Sequence, residues 1–279
     1  MLCSTKKQYT GILIIFPISL PSVTNPLSHS KYPFFMMLNS ITEKVFKGNK
    51  NLCNMKVYRT AAITAVWRSM AKADDYSIKY VNLPLRLFAY IMGLLDPSSV
   101  ATIAERTRTI DSAIKKIKPA CIVEIGAGFS SRSKRFKGIE YYEFDLPYFQ
   151  KFKSNIISFD IGKDELNLKI KKALFIVEGV TMYLQKGQIL MLLKQIKKYK
   201  GHILIDFFNQ EYSAKQKKLR EKIYKLLFKL IIKKDRLFDF RIGNMQEGTF
   251  LLKNMGYKDV KNYTYNIPKT LDVLFYAKL

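Results

Sequence analysis

The stretch ACIVEIGAGFSSR, Ala120–Arg132, decides how the rest of the chain is read. Ala120–Ile125 is a short apolar run, the pattern of a strand buried on both faces of a sheet. It ends at Gly126-Ala127-Gly128, and glycines at a strand-to-helix turn let the backbone approach a ligand and take angles a side chain forbids. A helix is expected after the turn. Ser131 stands where a dinucleotide-binding loop has its third glycine, which speaks against a pyrophosphate nestled on that helix.

Upstream, Tyr58–Lys118 has helical periodicity. Ala61, Ala62, Ala65, Val66 and Met70 recur at helical spacing, as do Leu85, Leu87, Ile91 and Leu94. Asp96-Pro97 breaks the second helix, and a third, roughly Val100–Ile117, runs into the first strand. Downstream the chain alternates. Ile139–Phe144, Asn155–Phe159, Ala173–Val177 and His202–Phe207 are strand candidates, with a helix clearest at Lys186–Lys198. Such alternation predicts a parallel, doubly wound sheet. Lys258–Asn266 and Thr270–Leu279 are too close for a crossover helix and should form an antiparallel hairpin.

Residues 1–54 differ in character, with Pro17, Pro21, Pro26 and Pro33 and no sustained period. Lys6 and Lys7 ahead of the apolar run Gly11–Leu20 resemble a secretory signal. An over-extended gene start, with Met36, Met37 or Met55 as initiator, is the favoured reading. Either way this segment is expected to be weakly ordered, and 55–279 to be the folded domain, with a helical cap over 55–118.

The bulk numbers exclude several classes. With 48% hydrophobic and 13% aromatic residues, the chain belongs with globular proteins. No run approaches the roughly 18 apolar residues of a spanning helix. Cys3, Cys53 and Cys121 are widely spaced, so neither a disulfide framework nor a zinc site is suggested. His29 and His202 are the only histidines, which leaves little for a metal site or a histidine-based triad. The net charge of +26 fits a polyanionic partner or compositional drift; drift is favoured, because the lysines are spread along the chain.

Two acids follow the glycines. Asp145, in EFDLP, lies where a carboxylate grips ribose hydroxyls, both of whose protons it can accept. A helix cap is its plainer role. Asp160, after the third strand, is placed to meet an adenine amino group.

The runs VEIGAGFSSRSKRF (Val123–Phe136), YYEFDLP (Tyr141–Pro147) and FIVEGVTMYL (Phe175–Leu184) together resemble the leucine carboxyl methyltransferase family, which includes bacterial polyketide-type O-methyltransferases. RTRTID (Arg106–Asp111) and FRIGNMQEGTFLLKNMGY (Phe240–Tyr257) extend the likeness over roughly residues 58–279. The resemblance implies a Rossmann-like methyltransferase fold, with a seven-stranded, mostly parallel sheet, a C-terminal antiparallel hairpin and an N-terminal helical cap. It implies S-adenosylmethionine as cofactor, no metal, and a cytoplasmic enzyme. Arg106 matches the arginine that pairs with the cofactor carboxylate, with Arg108 as the neighbouring alternative. Glu124, Gly126 and Gly128 belong to the cofactor loop, Asp145 to the ribose, and Asp160 and Ile161 to the adenine. Glu178 matches an acid facing the cofactor's amino group and the reaction cleft; Tyr183 lies beyond it, in the acceptor pocket. Ser130-Ser131-Arg132 departs from the family's Asp-Thr-Arg, and SIKYVNLPLRLF (Ser77–Phe88) from its more acidic segment, which puts the acceptor in doubt.

A carboxylate acceptor is already anionic and needs no base, which suits a chain nearly without histidine. A hydroxyl acceptor would need one, and Glu178 and Tyr183 are the candidates. The expectation is therefore methyl transfer to an oxygen, a carboxylate first, of a small molecule or peptide. Residues 213–238 read as an amphipathic basic helix, with an apolar stripe from Leu219 to Leu230. It is taken as a lid, with contact to an anionic membrane or RNA as the alternative. No N-P-P-Y-like motif follows strand four, so a nucleic-acid substrate is disfavoured. A non-catalytic S-adenosylmethionine-binding protein is the remaining alternative.

Overall fold

The computed structural model describes residues 52–210, 239–263 and 272–279, with backbone alone for 52–56. Contacts divide the chain into two units, Met1–Asn39 and Ser40–Leu279, and every described residue falls in the second. The expected extension 1–54, apart from the helical backbone of 52–54, and the expected lid helix 213–238 lie outside the described residues.

Among the described residues three α-helices precede the sheet: α1 (Leu52–Met70), α2 (Leu83–Leu95) and α3 (Pro97–Ile117). Asn82 starts α2 by accepting a hydrogen bond from the Leu85 N–H, with Pro84 in the first turn. Asp96 closes α2 and opens α3, accepting from the Ser99 N–H at 3.2 Å. Helix α3 thus begins at Pro97, three residues before the expected Val100, because the cap and the N1 proline are themselves the start signal. Lys118, in the left-handed conformation at φ 48°, turns the chain into the sheet.

The strands are β1 (Cys121–Ile125), β2 (Glu140–Asp145), β3 (Ile156–Ser158), β4 (Lys172–Val177), β5 (Lys200–Phe208), β6 (Lys258–Tyr263) and β7 (Asp272–Lys278). They lie in the order β3-β2-β1-β4-β5-β7-β6. The first five are parallel, and β7 enters antiparallel between β5 and β6. This is the expected mostly parallel seven-stranded sheet with a C-terminal hairpin, whose connection at 264–271 is outside the described residues. Strands β1 and β4 are buried on both faces, whereas edge strand β6 carries Lys258 and Lys261 outward.

The period of two divides the core into layers. Val123, Ile125, Phe175, Val177, Ile203 and Ile205 face α5 (Lys186–Ile196), whose Ile189, Leu192, Leu193 and Ile196 are buried against them. On the other face Ile122, Leu174, Ile176 and Leu204 meet Ile110, Ala113 and Ile114 of α3. After the glycine turn the expected helix shrinks to one turn, α4 (Arg132–Arg135). Lys137-Gly138 ends it, with Gly138 at φ 87°, since β2 must begin at Glu140. One further helix, α6 (Met245–Asn254), is capped by Asn244 and leads into β6.

Candidate active site

The carboxyl ends of β1, β2 and β4 open into a cleft of about 420 Å3, within the range of small-ligand pockets. This is where open α/β sheets hold ligands. One wall is α1, which contributes Val57, Thr60, Ala61, Thr64 and Arg68 at helical spacing.

The floor is the turn after β1. Gly126 has φ 74° and Gly128 φ 48°, conformations that L side chains rarely adopt. A Cβ on Gly126 would lie 2.0 Å from Val180 Cγ2, so the loops after β1 and β4 touch there. Asp145 ends β2 beside this floor. Its Oδ2 accepts from the Gly128 N–H at 2.6 Å and its Oδ1 from the Leu146 N–H at 2.7 Å, so both oxygens are oriented. Burial raises its carboxyl to about 6, against the pull of those two N–H groups. Asp160, Ile161 and Lys163 form the lip after β3, joined by Phe149 and Phe159. Burial acts to raise the Asp160 carboxyl, but Lys163, 3.0 Å away, and the Gly162 N–H bring it below its usual value.

Glu178 lies where β4 ends, at the centre of a buried ion network. Its Oε1 is 2.7 Å from Arg68 Nη2 and 3.0 Å from Arg106 Nε, and its Oε2 is 2.6 Å from Arg132 Nη1. Burial opposes its charge, yet the three guanidinium groups, Arg132 foremost, hold the carboxyl well below the usual range. Arg106 Nη1 also reaches Asp206 at 2.9 Å and Asp272 at 2.5 Å, tying α3 to β5 and β7. Burial pushes Asp206 up to about 7 and raises Asp272. Tyr183 borders the cleft; burial raises its hydroxyl's pKa despite a hydrogen bond with Thr60, so it stays protonated.

The cleft therefore brings together Arg106, Gly126, Gly128, Asp145, Asp160, Ile161, Glu178 and Tyr183. Glu124 and Arg108 are placed elsewhere. Glu124 shares the α3-facing side of β1 with Ile122, accepting there from Arg132 at 2.7 Å and the Tyr141 hydroxyl at 2.6 Å. Arg108 is exposed and donates to the Ala71 carbonyl, so of the two arginines only Arg106 borders the cleft. Glu178, fixed as an anion, is a poor proton acceptor, and so is the protonated Tyr183.

Sequence reasoning missed Arg68, Arg132, Asp206 and Asp272. The signal for Arg68 was present: Thr60, Thr64 and Arg68 form a polar i, i+4 row beside the apolar positions of the helix. Arg132 was noted only as part of a departing motif, though it is fully buried and joins Asp111, Glu124 and Glu178. Among the described residues no group of three His, Cys, Asp or Glu is arranged to hold a metal.

The fold and the site define an α/β protein of the Rossmann-like methyltransferase fold with a cleft at the carboxyl edge of its sheet. No protein-family model and no curated protein matches the chain. Among solved structures it is similar to human N-acetylserotonin methyltransferase in complex with SAM, at 16% identity over 69% of this chain and 55% of that one, TM-score 0.44. The chain thus spans little more than half the length of that protein. It is similar to magnesium protoporphyrin IX methyltransferase from Synechocystis with bound SAH, at 11% identity over 64% of this chain and 85% of that one, TM-score 0.44. A third, described as a possible exported protein from Bordetella parapertussis, aligns at 12% identity over 80% of this chain and 95% of that one, TM-score 0.49. Likeness this distant carries nothing about chemistry, and the fold rests on its own strand order.

Proposed function

We propose that the protein is an S-adenosylmethionine-dependent O-methyltransferase acting on a carboxylate of a small molecule or peptide, and that its site is the cleft above β1, β2 and β4. The observation that supports this most is the convergence of four loops on one cavity, the glycine turn after β1 and the carboxylates Asp145, Asp160 and Glu178 at the carboxyl ends of β2, β3 and β4. The donor set fits the cofactor's chemistry. Asp145 would hold the ribose diol, its oxygens already oriented by Gly128 and Leu146. Leu146, Phe149, Phe159, Ile161 and Leu184 offer apolar walls for a base, with Asp160 at the rim. At the other end Arg68 and Arg106 would meet the carboxylate of the amino-acid tail, and Glu178 its ammonium.

Bound there, the cofactor supplies a sulfonium-activated methyl group. The chain's own work is positioning: an in-line displacement needs the acceptor oxygen held roughly 3–3.5 Å from the carbon it attacks. Glu178 is locked as an anion, Tyr183 is protonated, Asp160 is held below its usual value, and Asp145 would be occupied by the ribose diol, so the groups facing the cleft are ill suited to take the acceptor's proton. An acceptor that arrives ionised avoids that need, which favours a carboxylate over a phenol or alcohol.

Calorimetric titration of the full chain with S-adenosylhomocysteine tests the cofactor. Saturable binding, weakened roughly ten- to a hundredfold by Asp145→Ala, is the expected outcome, from the loss of charge-assisted hydrogen bonds. A folded native protein that binds nothing would sink the proposal. For the acceptor, turnover of a phenol with none of any carboxylate would overturn the carboxylate assignment alone.

A further inference from the structure

Among the described residues, nine large hydrophobic side chains stand exposed, and six of them are Tyr76, Leu83, Leu87, Tyr90, Leu94 and Leu95. Five lie on α2, with exposures from 49% at Tyr90 to 76% at Leu83. Leu83, Leu87, Tyr90 and Leu94 follow one another at steps of four, three and four, so they form a single stripe about 16 Å long. The opposite face of the helix is fully used. Leu85, Phe88, Ala89 and Met92 are buried. Trp67 of α1 donates its indole N–H to the Ala89 carbonyl at 2.8 Å. Gly93 admits Met70, whose sulfur would lie 2.8 Å from a Cβ there. The orientation of α2 is therefore set by packing, and the stripe is left facing water. Such a concentration on one helix marks a contact surface rather than scattered surface apolarity.

We propose that this stripe rests on an anionic lipid surface, with α2 lying in the plane of the interface. Charge favours that occupant. The exposed or half-exposed charges of the segment 72–95 are Lys72, Lys79 and Arg86 against Asp75 alone. Lys79 Nζ stands 5.0 Å over the exposed Tyr76 ring, which pairs a cation with an exposed aromatic in the segment leading into α2. The chain as a whole carries +26, which attracts it to an anionic bilayer and opposes the pairing of two copies. Area points the same way. The exposed parts of the four side chains in the stripe come to roughly 500 Å2, short of the about 800 Å2 that a stable protein interface takes from each partner. A fluid bilayer needs no matching shape. With 13 residues α2 is too short to span, and its continuation into α3 bends by 105°, so the helix lies on the membrane rather than in it. This inference does not depend on the cofactor assignment.

Flotation of the full chain with phosphatidylcholine vesicles containing roughly a third phosphatidylglycerol tests it, at physiological ionic strength. The native protein is expected to float with these vesicles and not with pure phosphatidylcholine. The triple variant Leu83→Ser, Leu87→Ser, Leu94→Ser is expected to lose binding by roughly tenfold or more while keeping its circular dichroism spectrum. Independently of that variant, Leu87→Trp should show indole emission that shifts blue on anionic vesicles. A native protein that stays in solution, or a folded triple variant that floats undiminished, overturns the proposal. So does a native dimer that the triple variant converts to monomer, since the stripe would then be covered by a second copy.

Discussion

A guanidinium group that meets Asp111, Glu124 and Glu178 without touching solvent leaves those carboxylates no water to turn to when it is removed. Arg132→Met should therefore cost about 3–5 kcal/mol, the range for breaking a buried ion pair from one side, read as a lower urea midpoint. Asp145 predicts a different observable. Its carboxyl, raised to about 6 by burial, must be ionised to accept two hydroxyl protons. Affinity for S-adenosylhomocysteine should accordingly be flat above about pH 7 and fall roughly tenfold by about pH 5, a dependence Asp145→Asn should lack. At this scale the sequence was informative where a residue closes a strand. Asp145, Asp160 and Glu178 could each be placed because a carboxyl-edge position faces the ligand in this architecture. Arg132, Asp206 and Asp272 could not, because their importance comes from partners far away in sequence, Glu178 for Arg132 and Arg106 for the two aspartates.

The loops after β1 and β4 set the shape of the cleft by their close approach at Gly126, whose positive φ and the nearby Val180 both resist a side chain. Gly126→Ala should destabilise by about 1–3 kcal/mol and weaken ligand binding as well, because relief requires the loop after β4 to move; thermal melting and calorimetry on one preparation would show both effects. The strands themselves were legible almost to the residue, since apolar runs bounded by Gly, Pro and Lys leave few alternatives. Helix α1 was legible as a helix but not as a wall. Its periodicity announced the apolar face toward α2, while Arg68 at the end of that helix meets Thr107 of α3 and Glu178 after β4, residues 39 and 110 positions away. The short α4 was over-read for the converse reason: a turn of polar, helix-compatible residues carries no information on where the next strand must begin.

For the whole molecule, the balance of buried acids dictates how stability follows pH. Glu143, Asp145, Asp206 and Asp272 all have raised carboxyls, with burial the leading cause. The folded state thus keeps protons that the unfolded chain releases near pH 4, and stability should fall as pH rises from about 4 to about 7. Glu178 acts in the other direction, its contribution being lost only as pH drops below the unfolded value near 4.5. With about 0.5 M salt to screen the net positive charge, the urea midpoint should be higher at about pH 5 than at about pH 8. Asp206→Asn should flatten that difference, which is on the order of 1–4 kcal/mol for this one carboxyl, while its amide oxygen still accepts from the Gly179 N–H. An unchanged slope in the variant would show that Asp206 is not the group responsible.

The insertion of β7 between β5 and β6 also orders events during synthesis. Every described residue lining the cleft, Val57 to Gln188, has been made before β5 begins. Yet β6 has no sheet neighbour other than β7, and β5 keeps one edge unpaired until Asp272–Lys278 emerges. Over that interval Arg106 lacks the carboxylate of Asp272. A ribosome stalled within β6 would therefore carry the described lining residues of the cleft, an open strand edge and an Arg106 still short of Asp272, the state in which a nascent chain is most exposed to misassembly.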